Sequence, residues 1–398
     1  MVLESWRRNL YAIFVAELVV LTGFSFANPF MPLFIQELGN FTNEQAAFWG
    51  GIASGASGIA MFFSAPLWGI IADRWGRKPM VLRAIFGGST VLALMGLSPN
   101  IYYLIGFRFA QGVLSGTVAA ASALVAALTP RNKMPFAMGL ITLAMFTGQT
   151  VGPFLGGFLA DLYGYRTTFF ITGALLFIGG LVVLFLVKEN FQRPAGGHSA
   201  SPGDIWRLAT SKKIFPLLLV LGTLHIAPQM VSPIIPLFIR ELDPEGAVAT
   251  MAGLAFSFMG GVAILSTLAA GRLGERITMK KMLVFSCVVT GLLYLPPMWA
   301  GTVGQILIFI ALSGLFKGGL MVASNALIGL SVPLTQQGLA YGLGQSANSL
   351  GNGLGPMIGG SLANLVGLRP VFGFAGLFFI AVGILAARLL TGQSSEKS

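Results

Sequence analysis

The sequence predicts an all-α integral membrane protein with twelve transmembrane helices in two pseudo-symmetric six-helix halves. Three observations carry this. Hydrophobic residues make up 55% of the 398 and charged residues only 9%, with a mean hydropathy of +0.82. A soluble domain carries about 25% charged residues, so this composition cannot build a water-facing surface, and a disordered chain needs the opposite balance. The apolar runs are long enough to cross a bilayer as helices, roughly 20 residues each, and lack the period-2 alternation of barrel strands. Finally, the chain repeats itself at an offset close to 203 residues, as duplicated transmembrane halves do.

Taken in order, spans are expected at 9–38, 48–71, 79–97, 101–128, 136–159 and 167–187, and then at 214–240, 249–271, 282–299, 303–331, 338–362 and 370–390. They define an N-terminal half (1–187), a cytoplasmic linker (188–213) and a C-terminal half (214–398). The first run is expected to remain as a span and not to be a cleaved signal peptide: it is too long and continues past Glu17 into a patterned segment. The linker holds Gly196, Gly197, Ser199, Ser201, Pro202 and Gly203, with room for a short interfacial helix at Ile205-Trp206-Arg207-Leu208 and a solvated His198.

Orientation follows from the basic residues in short loops. With the N-terminus inside, nineteen of the 24 Lys and Arg fall in cytoplasmic segments and three (Arg166, Arg240, Arg369) in outer ones; Arg108 and Lys317 lie within spans. The net charge of +11 is therefore a topology signal, not a nucleic-acid footprint, and both termini are expected in the cytoplasm of a cell-membrane protein. One Cys (Cys287) excludes an internal disulfide, and with two His (His198, His225) no metal or redox cofactor is expected. No nucleotide-binding loop is present, so energy is expected from a proton gradient and an enzymatic reading is set aside.

The repeat is specific. Asn28-Pro29-Phe30-Met31-Pro32-Leu33-Phe34 recurs as Ser232-Pro233-Ile234-Ile235-Pro236-Leu237-Phe238. Gly148-x-x-x-Gly152-Pro153-x-x-Gly156-Gly157 recurs as Gly351-x-x-x-Gly355-Pro356-x-x-Gly359-Gly360, and Asp161-x-x-Gly164-x-Arg166 as Asn364-x-x-Gly367-x-Arg369. The loop Gly69-Ile70-Ile71-Ala72-Asp73-Arg74-Trp75-Gly76-Arg77-Lys78-Pro79 has a degenerate copy at 271–281, where Thr278 and Met279 replace a Gly and an Arg.

These motifs resemble the major facilitator superfamily, and within it the twelve-span drug:proton antiporters. The 69–79 loop is similar to the family's signature between helices 2 and 3, with Ile71 where Leu is usual. Arg108-x-x-Gln111-Gly112 is similar to its helix-4 motif, and the 148–157 run to its helix-5 antiporter motif. At finer grain, Pro29–Pro32, 66–83 and 100–112 resemble Gram-positive multidrug efflux pumps of the quinolone type. The resemblance implies the major facilitator fold and a monomeric functional unit. It also implies an intracellular gate built on Gly69, Asp73, Arg74, Gly76 and Arg77, and a conformational role for Gly148, Gly152, Pro153 and Gly156. Physically, small residues let helix backbones approach closely in lipid and Pro153 kinks its helix. Basic loop residues can equally anchor topology or bind lipid headgroups.

Charges inside the membrane are expensive and suggest function. Glu17 has no Lys or Arg within four residues; a carboxyl shut away from water can take a proton on one side and release it on the other. Arg108 needs a partner, with Gln111 a companion, and direct pairing with Glu17 is left open. Lys317 aligns with Leu114 through the repeat, so symmetry does not explain it; it could titrate, bind substrate, partner Glu17 across the cavity or reach an interface. His225 could couple protons or simply pack. Asp161 reads as a structural cap or an outer-gate ion pair. Phe26 and Met31, with Phe24, Phe30 and Phe34, suggest an adaptable apolar cavity, while Asn28, Gln149, Gln229, Asn325, Gln345, Asn348 and Asn352 keep a polar substrate open. The expected partners are small lipophilic compounds, cationic ones included, together with protons and membrane lipids. The leading expectation is proton-coupled export by alternating access, the halves rocking around a midplane site; the alternative is the same fold exporting a polar metabolite such as a sugar.

Overall fold

A computed structural model describes residues 2–27, 29–189, 202–211, 214–274, 276–332 and 336–390, and among them no strand occurs. The first repeat contributes α1 (Val2–Phe26), α2 (Met31–Glu37), α3 (Asn43–Trp75), α4 (Arg77–Gly96), α5 (Ile101–Leu114), α6 (Thr117–Leu128), α7 (Met134–Tyr163) and α8 (Tyr165–Leu186). A short α9 (Pro202–Ala209) follows. Then come α10 (Phe215–Val231), α11 (Ile234–Leu242), α12 (Val248–Leu273), α13 (Met279–Tyr294), α14 (Val303–Ser331), α15 (Gln337–Val366) and α16 (Leu368–Leu389). The chain is a multi-pass membrane protein: eleven helical stretches among the described residues are long and apolar enough to span a bilayer. The eleventh expected span, 338–362, is the remaining one and lies in the 30-residue α15, whose glycines, amides and serines make it less apolar than the rest.

Three expected spans are each two helices in the structure. Pro29 and Pro32 interrupt the first between α1 and α2, Pro233 and Pro236 its repeat copy between α10 and α11, because proline cannot continue the ladder. The fourth breaks at Ser115–Gly116, where Gly116 adopts φ 110, a conformation open to glycine. Its copy α14 runs unbroken. The expected interfacial segment 205–208 is found within α9; the rest of the linker, with His198, lies outside the described residues, as does Asn28.

Packing divides the chain into two compact units. The first comprises Met1–Phe41, Ala56–Gly196 and Glu245–Ser257; the second Thr42–Gly55, Gly197–Pro244 and Phe258–Ser398. Each unit thus includes the opening stretch of a helix from the other repeat: α12 in the first, α3 in the second.

Within each unit the repeat reappears in three dimensions. In the first, Phe34 packs on Phe169 at 5.1 Å, the Arg166 guanidinium lies over Phe34 at 5.5 Å, and its Nη1 donates to the Gly96 carbonyl at 2.9 Å. In the second, Phe238 packs on Phe372 at 5.5 Å, Arg369 lies over Phe238 at 4.9 Å and donates to the Ala300 carbonyl at 3.0 Å. Each arginine satisfies a carbonyl at the end of a helical run while its plane covers a ring, the combination that suits guanidinium. Ser64 donates to Gly112 O at 3.2 Å, and its counterpart Ser266 to Gly314 O at 3.1 Å.

The aromatic residues after α1 take a place different from the one expected. Phe26, Phe30, Met31 and Phe34 are all buried at 2% exposure or less. Phe30 stacks on Tyr165 at 5.6 Å and meets Phe169 edge-on at 5.3 Å. The proline break turns α2 against α8, so these side chains fill the packing of the first unit and do not line an open cavity.

Candidate functional site

The first unit buries two charges. Glu17 is 1% exposed and neither carboxylate oxygen has a hydrogen-bond partner among the described residues. It sits one helical turn before Leu21, which meets Gly148 of α7, so it lies on the α7 side of α1. Arg108 is 7% exposed on α5; its Nη1 donates to Gln111 Oε1 at 3.0 Å, and its Nε is buried without a partner. The structure joins Arg108 to Gln111, as expected, and does not join either to Glu17. An unpaired buried polar group is costly, and three charged residues of this unit, Glu17, Arg83 and Arg108, carry such atoms.

The glycine motif explains how α1 is held. A Cβ at Gly148 would meet Leu21 and Thr22 at 2.8 Å, and one at Gly152 would meet Ser25 Cβ and Thr22 O at 2.6 Å; Gly156 faces the Phe26 backbone. Pro153 and Gly157 turn the other way, against Gly253 and Ala249 at the start of α12, and Phe154 N donates to Ser257 Oγ at 3.2 Å. Nearby, Asp161 caps α12: its carboxylate accepts from Thr250 N at 2.7 Å, Thr250 Oγ1 at 2.6 Å and Ala249 N at 3.3 Å. A carboxylate at a helix N-terminus is favoured by both the free N–H groups and the dipole.

The basic loop is organised by a residue that sequence reasoning missed. Gly76 links α3 to α4 with φ 98 and ψ 165, which accounts for glycine there. The next two N–H groups, of Arg77 and Lys78, donate to the Glu189 carboxylate at 2.7 to 3.1 Å. Lys78 Nζ reciprocates, donating to Leu184 O at 2.8 Å in the last turn of α8 and to Val187 O at 2.7 Å just past its end. Asn9 ties α1 to the same place through both the N–H and the carbonyl of Lys188. The available signal was an acidic residue just after the sixth span, opposite a loop rich in Arg and Lys. Gly69 is exposed and a Cβ there would meet nothing within 4 Å, and Arg74 is exposed; the Asp73 side chain lies outside the described ones. Arg83, one turn further along α4, lies over Trp68 at 3.7 Å and donates to Ser115 O at 3.1 Å.

The second unit carries a polar cluster. Gln229 donates to Asn352 Oδ1 at 2.9 Å, joining α10 to α15. His225 Nδ1 donates to Leu221 O at 3.2 Å, and Lys317 lies within electrostatic range of the imidazole. Lys317 is exposed on α14 and makes no hydrogen bond or ion pair with a described residue. Gly351, Gly355 and Gly359 face His225, Gln229 and Met230 as Gly148, Gly152 and Gly156 face Leu21, Ser25 and Phe26. Among the described residues no group of His, Cys, Asp or Glu could hold a metal ion.

A duplicated helical membrane protein with buried charges on its spans and close-packed glycine seams has the architecture of a membrane transporter. The chain belongs to the major facilitator superfamily, whose family model matches residues 13–266 and 217–398. It is 33% identical over 370 residues to the multidrug resistance protein MdtG of Klebsiella pneumoniae (strain 342), covering 92% of this chain and 90% of that one. It is 32% identical over 372 residues to the multi-drug resistance efflux pump PmrA of Streptococcus pneumoniae serotype 4, covering 92% of each. Among solved structures it is similar to the nucleoside transporter NupG, with a TM-score of 0.79 and 14% identity over 96% of this chain and 99% of that one. It is also similar to an inward-facing, occupied bacterial homologue of the human lysosomal transporter Spinster, with a TM-score of 0.79 and 14% identity over 96% of each. The two structural likenesses establish the fold.

Proposed function

We propose that the protein exports lipophilic compounds from the cell in exchange for protons, by alternating access of its two repeats, 1–187 and 214–398 joined by 188–213. The observation that carries the reading is Glu17, a fully buried carboxyl with no partner on either oxygen. A group so placed can be carried neutral through the membrane and ionised where water reaches it, which is what coupling requires. Arg108, held by Gln111, is a second buried charge of the same unit, on α5. The 69–79 loop with Glu189, and the seam Gly148–Gly157, act as the parts that rearrange. Efflux and multidrug resistance in the names of MdtG and PmrA support the direction and the breadth. The nineteen-to-three distribution of basic residues supports placement in the cytoplasmic membrane with both termini inside. The working unit is a monomer in lipid, driven by protons and independent of any cofactor.

A second reading, export of a specific polar metabolite such as a sugar, is favoured by the Gln229–Asn352 pair, which a purely lipophilic cargo does not need. Proton flux in inverted vesicles with an imposed pH gradient tests both. Ethidium, a quinolone and a sugar are added in turn, with wild type beside Glu17→Gln. Collapse of the gradient by the lipophilic compounds in wild type, and none in Glu17→Gln, is expected. Collapse by the sugar alone selects the second reading, and collapse by every compound in Glu17→Gln removes Glu17 from coupling.

A further inference from the structure

We infer that the second unit holds a subsite for the anionic head group of an amphiphilic substrate, formed by Lys317 of α14 beside the amide face of α15. The inference rests on the exporter reading and narrows its substrate class.

Helix α14 has two exposed faces. Ile308, Leu312 and Leu315 form one, apolar throughout; Lys317, Met321 and Asn325 form the other, at four-residue spacing. At 3.6 residues per turn their centres are about 140° to 180° apart. A spanning helix can turn only an apolar face to lipid at low cost, since a charge there is penalised by several kcal/mol. The Lys317 face therefore meets water. Helix α15 presents a matching stripe, Tyr341, Gln345, Asn348 and Asn352, at spacings of four, three and four residues, exposed or half-buried. Of its exposed apolar residues, Leu354, Ile358 and Leu365 lie on another side, and Val366, the last residue of the helix, lies on the stripe's side beyond Asn352. The Tyr341 hydroxyl donates to the Asn325 carbonyl at 3.2 Å and so ties the two polar faces together.

The sign of the charge selects the ligand. Helices α10 and α12 to α16 contain no Asp or Glu. The unit's described helical carboxylates lie elsewhere, Glu241 on α11, where it pairs with Arg369 at 3.3 Å, and Glu44 at the start of α3; none is on a helix that carries this face, and His225, the neighbour of Lys317, adds positive character when protonated. The Asn348 Oδ1 is buried without a partner, so this face also has unspent hydrogen-bonding capacity. An ammonium unpaired in a region of reduced dielectric attracts an anion and repels a cation more strongly than it would in bulk water. Met321, on the same face of α14, offers the apolar contact that an amphiphile's body needs. Packing does not require the lysine: the first repeat carries Leu114 in that position. The ligand so defined is a lipophilic molecule bearing a carboxylate or comparable oxyanion.

Binding to the full-length protein in lipid nanodiscs tests this independently of flux. The probes are nalidixate (a quinolone with one carboxylate and no ammonium), its ethyl ester, ethidium and a neutral sugar. Wild type is expected to prefer nalidixate to the ester. Lys317→Gln should weaken nalidixate by about tenfold or more while leaving the ester within about twofold, and Lys317→Arg should restore it. Lys317→Leu, the residue of the other repeat, serves as a second loss-of-charge variant should the Gln form fail to fold. Equal binding of nalidixate and ester by wild type, unchanged nalidixate affinity in both uncharged variants, or a preference for ethidium or the sugar that ignores Lys317, overturns the subsite. Charge-dependent nalidixate binding without proton-coupled flux upholds the subsite and removes the exporter reading alone.

Discussion

The two compact units share a skeleton and differ in chemistry. In the first, α7 presents Gly148, Gly152 and Gly156 to α1; in the second, α15 presents Gly351, Gly355 and Gly359 to α10, with the same kinds of contact. A Cβ at Gly152 would meet Ser25 Cβ and Thr22 O at 2.6 Å, and one at Gly355 would meet Gln229 Cβ and Ile226 O at 2.6 Å. The arginine–aromatic clasps and the serine–glycine bonds are likewise duplicated. Yet the first unit holds charge out of reach, in Glu17 and Arg108, and the second holds it accessibly, in Lys317 with its amide neighbours. Duplication preserved what packing demands and released what it does not, so the unmatched residues are the ones to connect with function: a buried acid for a proton, an exposed base for a substrate.

The most severe way to break the shared skeleton is to fill a seam. Gly156→Leu in the first unit and Gly359→Leu in the second force a branched side chain into helix backbone. Each is expected to abolish monodisperse protein on size-exclusion chromatography, because overpacking on this scale exceeds the usual cost of about 1–3 kcal/mol. Recovery of folded protein from one and not the other would show the skeletons to be unequal. Glu17→Gln comes next: full loss of gradient-driven flux, with thermal stability retained, because an unpartnered carboxyl contributes no ionic bond to the fold. If Glu17→Gln instead melts the protein, the acid is structural.

Arg108→Ala should remove most transport and leave Gln111 Oε1 unpaired, with a measurable fall in the melting midpoint; Gln111→Leu, which strands the buried guanidinium without its acceptor, should lower the midpoint further. The smallest effect is expected where the units differ in caps. Glu189→Ala should cost about 0.5–2 kcal/mol, the value of a helix cap, read as a modest drop in thermal midpoint. Asp161→Ala should cost a similar amount. An effect of either on flux larger than its effect on stability would place that cap among the moving parts.

Much of the fold was legible in the sequence because a spanning helix is a local object. Its length and apolar run are set by bilayer thickness and by the need to satisfy every backbone group internally, and the repeat offset is arithmetic. The breaks in the first and seventh spans could have been read from their prolines; the one at Ser115–Gly116 could not, since its copy near Lys317 carries glycines and stays helical. Arg108 with Gln111 was legible because three residues on a helix bring side chains together. Glu189 was not, because its partners at Arg77 and Lys78 lie more than a hundred residues away.

The sequence by itself determined the number and class of the spans, the duplication, the loop and seam motifs, and the identity of the charges placed in the membrane. Only the tertiary structure decided which way each of those charges faces. It set Glu17 apart from Arg108, sank Phe26 and Met31 into packing, and left Lys317 exposed on the second face of α14. The physical reason is that periodicity fixes which residues share a face of a helix, while the rotation of that helix against its neighbours fixes whether the face meets protein, lipid or water.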